Sequence, residues 1–301
     1  MSLIVTGSIG IDTVITPEGK ADEVLGGSCT YFAAAASFFC DVRLVAAVGE
    51  DFPDSHEAVF KQFNIDTRGL EKRQGSKTFR WTGKYLENMN DRETLDVQPN
   101  VLAEALPPVP ADFRDSGYVF LANTHPAGQM ELRQQFPEAK LVVADTMDLW
   151  IDTANDELRG LLKQIDGLVL NDSEAKLLTG RSNHVTAAEA IIDMGPKFVV
   201  IKKGEHGCLL LHKEGVVALP AYPAREVHDP TGAGDSFAGG MMGYLAASGD
   251  LSLASIKKSL AYGTIVASFN IEAFSLERMK RLSRKEIDDR YTGFADMLRI
   301  G

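Results

Sequence analysis

The sequence predicts an α/β protein in which a mainly parallel sheet is covered by helices on both faces. Three observations carry this. Short apolar runs such as LIV, LVAAV, YVFLA, LVVAD, GLVL and KFVVI recur along the chain, and continuous apolar runs mark strands buried on two faces. From about residue 116 these runs alternate with helical patterns, the rhythm of parallel β–α units. The 301 residues are 45% hydrophobic and 24% charged, an ordinary globular balance with enough apolar material for a large core.

Leu3 to Val5 opens as a buried strand ending in the turn Gly7-Ser8-Ile9-Gly10. Residues 12–25 are polar and turn at Pro17-Glu18-Gly19-Lys20, which suits a hairpin. Gly26-Gly27-Ser28 then precedes YFAAAASFF, a small-residue helix able to pack closely on a sheet. Leu44 to Val48 is the next strand, closed by Gly49-Glu50-Asp51.

Residues 77–98 break this rhythm. In FRWTGKY, Phe79, Trp81 and Tyr85 share one face of a period-2 strand, while Arg80, Thr82 and Lys84 take the other. MNDRET turns the chain and TLDVQ returns as a second strand. Further on, YVFLAN leads into a helical stretch to Phe136, LVVAD into a helix near Leu149, and GLVL into SEAKLLTG. Thr186-Ala187-Ala188-Glu189 reads as a capping box opening the helix before KFVVIKKG. Gly207 to Leu219 suits a hairpin, and two long helices are expected over about 233–248 and 251–269. With no repeat, low-complexity linker or long charge run, residues 1–301 read as one domain carrying β-rich insertions at 12–25 and 77–98.

Composition excludes several function classes. A formal net charge of −11 opposes non-specific binding to nucleic acid or anionic membranes, which needs a basic face. No apolar stretch approaches the roughly 20 residues of a membrane span, and the N-terminus lacks a basic n-region. Three cysteines (Cys29, Cys40 and Cys208) form no disulfide framework and no metal spacing, which points to a reducing, cytoplasmic setting. The six histidines show no i,i+4 pairing either.

The richest chemistry lies in Asp229-Pro230-Thr231-Gly232-Ala233-Gly234-Asp235-Ser236. Gly232, Ala233 and Gly234 run straight into an apolar helix, which leaves free N–H groups at a positive helix end to surround an anion. Asp235 falls in the first turn beside that anion. A carboxylate repels phosphate, so its place suits a base that takes a proton from a nucleophile attacking the phosphate; otherwise it serves the helix dipole.

This string resembles the C-terminal signature of the ribokinase-like (PfkB) carbohydrate kinase family, which includes nucleoside kinases. Four further segments agree in order: Gly26-Gly27 with the family's di-glycine, Val48-Gly49-Glu50-Asp51 with its V-G-x-D turn, Asn171-Asp172-Ser173-Glu174 with its N-x-x-E motif, and Gly204-Glu205-His206-Gly207 with its nucleotide-side loop. The likeness spans residue 3 to about 272. It implies a three-layer sandwich with a small β-sheet lid made from 12–25 and 77–98, and ATP-dependent transfer of a phosphoryl group to a sugar or nucleoside hydroxyl.

Residue by residue, the resemblance makes Asp235 the base and the backbone of Gly232, Ala233 and Gly234 the anion hole. Asn171 and Glu174 become the pair organising Mg²⁺ and the phosphates, partly through water, and Asn171 can equally cap a helix. Lys202, Gly204 and Gly207 fall on the ATP side, although Lys202 stands where many members carry Thr and can also be an exposed lysine. Asp229 and Thr231 match positions holding a monovalent cation, K⁺, in many members. On the acceptor side, Asp12 matches an Asp that meets substrate hydroxyls, a role suited to a carboxylate facing a diol; a turn aspartate is the alternative. Gly26 and Gly27 allow close approach of substrate. Tyr31 stands where sugar kinases place Asn, so it either meets a different substrate or belongs to the core.

The stripe Phe79, Trp81, Tyr85 has three readings: lid packing, a lid-to-lid homodimer, or stacking on an aromatic base. Arg80 and Arg92 are candidates to meet a phosphate on the acceptor, and Asn123, His125, Asp145 and Asp148 are pocket-lining candidates at strand ends. Two other classes stand beside the kinase: a non-catalytic nucleotide-binding member, and a dehydrogenase suggested by the first strand, whose Gly7-Ser8-Ile9-Gly10 is not G-x-G-x-x-G.

Overall fold

The computed structural model describes residues 2–299. The chain begins with β1 (Leu3–Thr6), β2 (Gly10–Thr16), β3 (Gly19–Gly26), α1 (Ser28–Ser37), β4 (Val42–Gly49), α2 (Asp54–Gln62) and β5 (Asp66–Arg73). It continues through β6 (Phe79–Tyr85), β7 (Arg92–Gln98), β8 (Tyr118–Leu121), α3 (Pro126–Arg133), β9 (Leu141–Asp145), α4 (Asp148–Thr153) and α5 (Asn155–Leu162). Then come β10 (Gly167–Asn171), α6 (Asp172–Thr179), α7 (His184–Ile192), β11 (Phe198–Lys202), β12 (Cys208–His212) and β13 (Gly215–Leu219). Three helices end it: α8 (Ala233–Ser248), α9 (Leu253–Asn270) and α10 (Arg284–Met297).

The large sheet has nine strands in the order β13-β12-β11-β10-β9-β8-β1-β4-β5. Pairing is parallel from β5 to β11, and β12 and β13 add an antiparallel edge. Alternating side chains supply two separate cores. Leu3 and Val5 face the core shared with α1, α8 and α9, while Ile4 faces the one shared with α3, α5 and α7. This is why the central strands read as unbroken apolar runs. Phe32 of α1 stacks on Phe120 of β8 at 4.3 Å between ring centres. None of the described helices is long and apolar enough to cross a membrane.

The second sheet, β3-β2-β6-β7, joins the two β-rich insertions. The two hairpins are linked by parallel pairing of β2 with β6, from Gly10 opposite Phe79 to Ile15 opposite Lys84. The V-G-x-D turn anchors the second hairpin: Thr78 N–H donates to Asp51 at 2.7 Å, and Gly49 N–H donates to Thr78 Oγ1 at 3.0 Å.

The structure corrects one local expectation. Helix α7 starts at Asn183, whose side chain accepts from the N–H groups of Val185 and Thr186. A better cap three residues upstream therefore absorbs Thr186 into the first turn. Reciprocal capping boxes occur instead at Asn171/Glu174 and Ser283/Glu286. The elements α2, β5, α5 and α10 had no clear sequence signal; β5, DTRGLEKR, is an edge strand without an apolar run.

Phe32→Ala should cost about 3–5 kcal/mol, the usual loss for emptying a buried aromatic site. Urea unfolding checks this as a lower midpoint with an unchanged slope.

Candidate active site

The predicted anion loop forms as a left-handed Gly232 (φ 73°) followed by the first turn of the 16-residue helix α8. A Cβ on Gly232 would lie 2.1 Å from the Tyr31 ring, so only glycine permits both the turn and the packing beneath it. Tyr31, 1% exposed, therefore lies under the loop and supports it. The preceding residues are braced from the same side. Asp229 accepts from Thr231 N–H at 2.8 Å and from Ser275 N–H at 3.1 Å. Asn270 at the end of α9 donates to the Thr231 carbonyl at 2.8 Å, and Ser275 Oγ donates to the Leu25 carbonyl beside the di-glycine at 2.6 Å.

On the far side of the loop, β10 and β11 place Asn171 and Lys202 in register. Asn171 is the α6 cap: its Oδ1 accepts from Glu174 N–H at 2.8 Å, and Glu174 Oε2 accepts from Asn171 N–H at 2.7 Å. One Glu174 oxygen and the Asn171 amide group remain available. Lys202 reaches over α8, with Nζ 2.7 Å from where a Cβ on Gly234 would stand. The lysine therefore lies against the 232–234 turn. Gly204–His206 forms a short turn closed by Gly207 at φ 85°.

Asp145, at the end of β9, joins this group with Oδ1 buried and without a protein partner. Burial pushes its carboxyl well up, and the Asp235 charge adds to the rise. Burial likewise pushes Asp235 up to about 6, against the pull of Lys202 and Arg92. Glu174 is raised by burial, again opposed by Lys202. One ammonium thus serves three carboxyls, of which Asp145 and Glu174 are buried and Asp235 is partly exposed.

On the lid side, Asp12 lies against the di-glycine. A Cβ on Gly26 would lie 1.9 Å from Asp12 Oδ2, so the glycine makes room for the carboxylate. Asp12 is 4% exposed and its Oδ1 has no partner. Burial, then the charge of Asp229, pushes it up to about 7.

Register puts Phe79, Trp81, Gly83 and Tyr85 on the same face of the lid as Asp12, since Asp12 pairs with Trp81. Trp81 folds over Gly83 and donates to Thr94. The Tyr85 hydroxyl lies 3.3 Å from Thr231 Oγ1. Arg80 faces the other way and is tied to Glu23 and Asp51, so it does not meet an acceptor phosphate as expected.

Among the pocket-lining candidates, Asn123 accepts from Trp150, His125 caps α3, and Asp148 opens α4. Sequence reading passed over Asn270, which holds the Thr231 carbonyl, and Ser275, which donates to Asp229, and no motif marks either. Among the described residues no three His, Cys, Asp or Glu side chains converge as a ready metal cage. The available Glu174 and orphaned Asp145 oxygens suit a hard cation that keeps its waters, so the residues fit Mg²⁺ carried on a nucleotide.

Comparison with known families matches residues 12–280 to the pfkB family of carbohydrate kinases. The chain belongs to the PfkB family. A cytidine kinase of Thermococcus kodakarensis is 28% identical over 248 residues, covering 80% of this chain and 87% of that one. A Burkholderia thailandensis nucleoside kinase solved with inosine superposes with a TM-score of 0.79 at 19% identity, over 97% of this chain and 98% of that one. An Arabidopsis thaliana ribokinase solved with ribose and ATP gives 0.78 at 20% identity, over 96% and 98%. This PfkB-family chain is therefore a phosphotransferase with a sugar or nucleoside hydroxyl as acceptor, on a ribokinase-like α/β fold.

Two pH experiments follow from the raised carboxyls. If Asp235 must be ionised to accept a proton, kcat/KM should fall about tenfold per pH unit below about 6. Removing the Lys202 charge in Lys202→Met should move that limb to higher pH. Asp12 ionises near 4 when unfolded but near 7 when folded, so its carboxyl costs stability increasingly as pH rises between those values. Asp12→Asn should then be more stable than the parent by up to about 4 kcal/mol at pH 8 and equal to it at pH 4, read as the Tm difference at each pH.

Proposed function

We propose that this kinase phosphorylates a ribose hydroxyl of a nucleoside, with ATP as donor. The observation that carries the reading is the aromatic lid face, Phe79, Trp81 and Tyr85, on the same side as Asp12. A sugar alone needs carboxylates and amides, whereas a nucleobase also needs a flat apolar surface. The likeness to a cytidine kinase over four-fifths of the chain supports the same choice.

In this reading Asp12 accepts hydrogen bonds from vicinal ribose hydroxyls, satisfying its orphaned oxygen, and the base lies along the lid face. The acceptor hydroxyl oxygen forms a bond to the γ-phosphorus in line. The bond from that phosphorus to the β–γ bridging oxygen breaks, and its electron pair leaves on ADP. Asp235 takes the hydroxyl proton. The N–H groups of Gly232, Ala233 and Gly234, with Lys202, hold the charge on the transferring group. Asn171 and Glu174, with Gly204 and Gly207, position the nucleotide phosphates. Mg²⁺, bound near Glu174 and Asp145 largely through water, would supply further neutralisation of phosphate charge. The lid excludes water, which would otherwise compete as acceptor.

The oxygens of Asp229 and Thr231, with the buried and unpartnered Asn270 Oδ1, fit a K⁺ ion that would stiffen the loop. The exposed edge strand β7, with Leu95 and Val97 outward, suits a homodimer formed through the lid.

An ADP-release assay over nucleosides, pentoses, hexoses and sugar phosphates tests the acceptor class. A nucleoside should give the highest kcat/KM, and preference for a free sugar would overturn the choice. Asp235→Asn should lower kcat by about 10²–10⁴-fold with the fold intact; turnover kept within a few-fold would remove Asp235 as base.

A further inference from the structure

We propose that Glu272 is a positioning residue for phosphoryl transfer. Gripped by two arginines, it fixes the segment 270–275 that holds residues 228–231, and so lets the outer helix α10 set the aim of the Gly232, Ala233 and Gly234 amides. The inference rests on the kinase reading above but not on the identity of the acceptor.

The segment leaving α9 meets the approach to the turn at several points. Asn270 donates to the Thr231 carbonyl at 2.8 Å. The Ile271 carbonyl accepts from His228 N–H at 2.8 Å and from Asp229 N–H at 3.3 Å. Ser275 N–H donates to Asp229 at 3.1 Å. Ser275 itself stands at φ 52°, a left-handed conformation that a non-glycine residue keeps only where its surroundings hold it. What holds the segment from outside is Glu272. Its Oε2 accepts from Arg278 Nε at 2.9 Å and its Oε1 from Arg290 Nη2 at 2.7 Å, so both carboxylate oxygens are engaged. Arg290 also donates to Ser268 at 2.9 Å, and Arg278 donates at 3.0 Å to Glu286 in the capping box that opens α10. Both guanidiniums lie on the Phe269 ring, 3.3 and 4.8 Å from its centre.

The cluster exceeds what docking of α10 requires. Ile287 and Phe294 already bury an apolar face of that helix, whereas the ion pairs converge on residues 268–272, the link to the turn. Glu272, Arg278 and Arg290 are no more than 25% exposed, so salt screens their attraction less than that of a surface pair. Planar guanidiniums on both carboxylate oxygens fix direction as well as distance. Amides stabilise the transferring charge without reorienting only if the turn carrying them is already fixed, and a displacement of about 1 Å costs on the order of 10²-fold in rate. Glu272 touches no reacting group; it acts through Ile271 and its neighbours.

Glu272→Ala and Glu272→Gln test this. Phe294→Leu is the control: it removes buried apolar area from α10 and leaves every charged group of the cluster in place. Steady-state kinetics with the best acceptor of the panel should show kcat lowered about tenfold or more in Glu272→Ala, with both KM values changed by less than about threefold. Glu272→Gln, which keeps a hydrogen-bond acceptor, should lose less. Phe294→Leu should keep kcat within about twofold despite a lower urea midpoint. Hydrogen exchange on the unliganded proteins supplies a second readout: amides of 228–235 should exchange about tenfold faster in Glu272→Ala, detectably faster in Glu272→Gln, and at the parent rate in Phe294→Leu. A kcat kept within about threefold in Glu272→Ala, an equal loss in Phe294→Leu, or faster exchange confined to 284–297 would overturn the assignment. If Glu272→Ala fails to fold, exchange in Glu272→Gln decides, with faster 228–235 amides for the assignment and unchanged ones against it. A parent inactive on every acceptor would instead sink the kinase reading, and the exchange comparison would still show whether Glu272 holds the turn.

Discussion

The site depends on one constrained turn: Gly232 held in the left-handed conformation directly above the Tyr31 ring. That contact sets where α8 begins, and therefore where its unpaired N–H groups point. Everything around it serves to keep the turn in place. Asp229 is clamped by the N–H groups of Thr231 and Ser275, Asn270 holds the Thr231 carbonyl, and Ser275 ties the assembly to Leu25. The proposed anion hole is thus joined through a few short bonds to the di-glycine, against which Asp12 lies, so the proposed donor and acceptor sides share one foundation. Preorganised amides of this kind need not reorient as charge develops.

The same arrangement is costly to the folded state. Asp12, Asp145, Glu174 and Asp235 all have carboxyls raised by burial, and isolated buried carboxylates oppose folding. Lys202 offsets part of this from within the site. Phosphate groups and a divalent cation would change that balance on binding.

Much of this was legible in the sequence. Unbroken apolar strands announced a sheet buried on both faces, and Gly232-Ala233-Gly234-Asp235 announced a glycine turn opening a helix, because both follow from local rules. Legibility failed where the determinant lay far along the chain. Strand β5 is charged and gains its place by pairing with β4 and by bonds such as Arg73 to the Ala105 carbonyl. Joining of the lid hairpins depends on β2 meeting β6, some sixty residues apart. The Phe79–Trp81–Tyr85 stripe was visible as a face, yet only that pairing turns it toward Asp12. Arg80 and Arg92 looked alike in sequence, and strand alternation sends them to opposite sides. The Lys202 ammonium could not be placed beside Gly234 from its position after an apolar run.

The central claim is that the transferring phosphoryl group rests on the 232–234 amides while the acceptor hydroxyl faces Asp235. Its most direct test is a crystal structure of the protein with Mg·ADP, aluminium fluoride and a nucleoside. The account predicts the fluoroaluminate within about 3 Å of those N–H groups, with the nucleoside hydroxyl oxygen between aluminium and the Asp235 carboxylate. A fluoroaluminate bound away from the α8 terminus, or a nucleoside hydroxyl directed at another base, would contradict it.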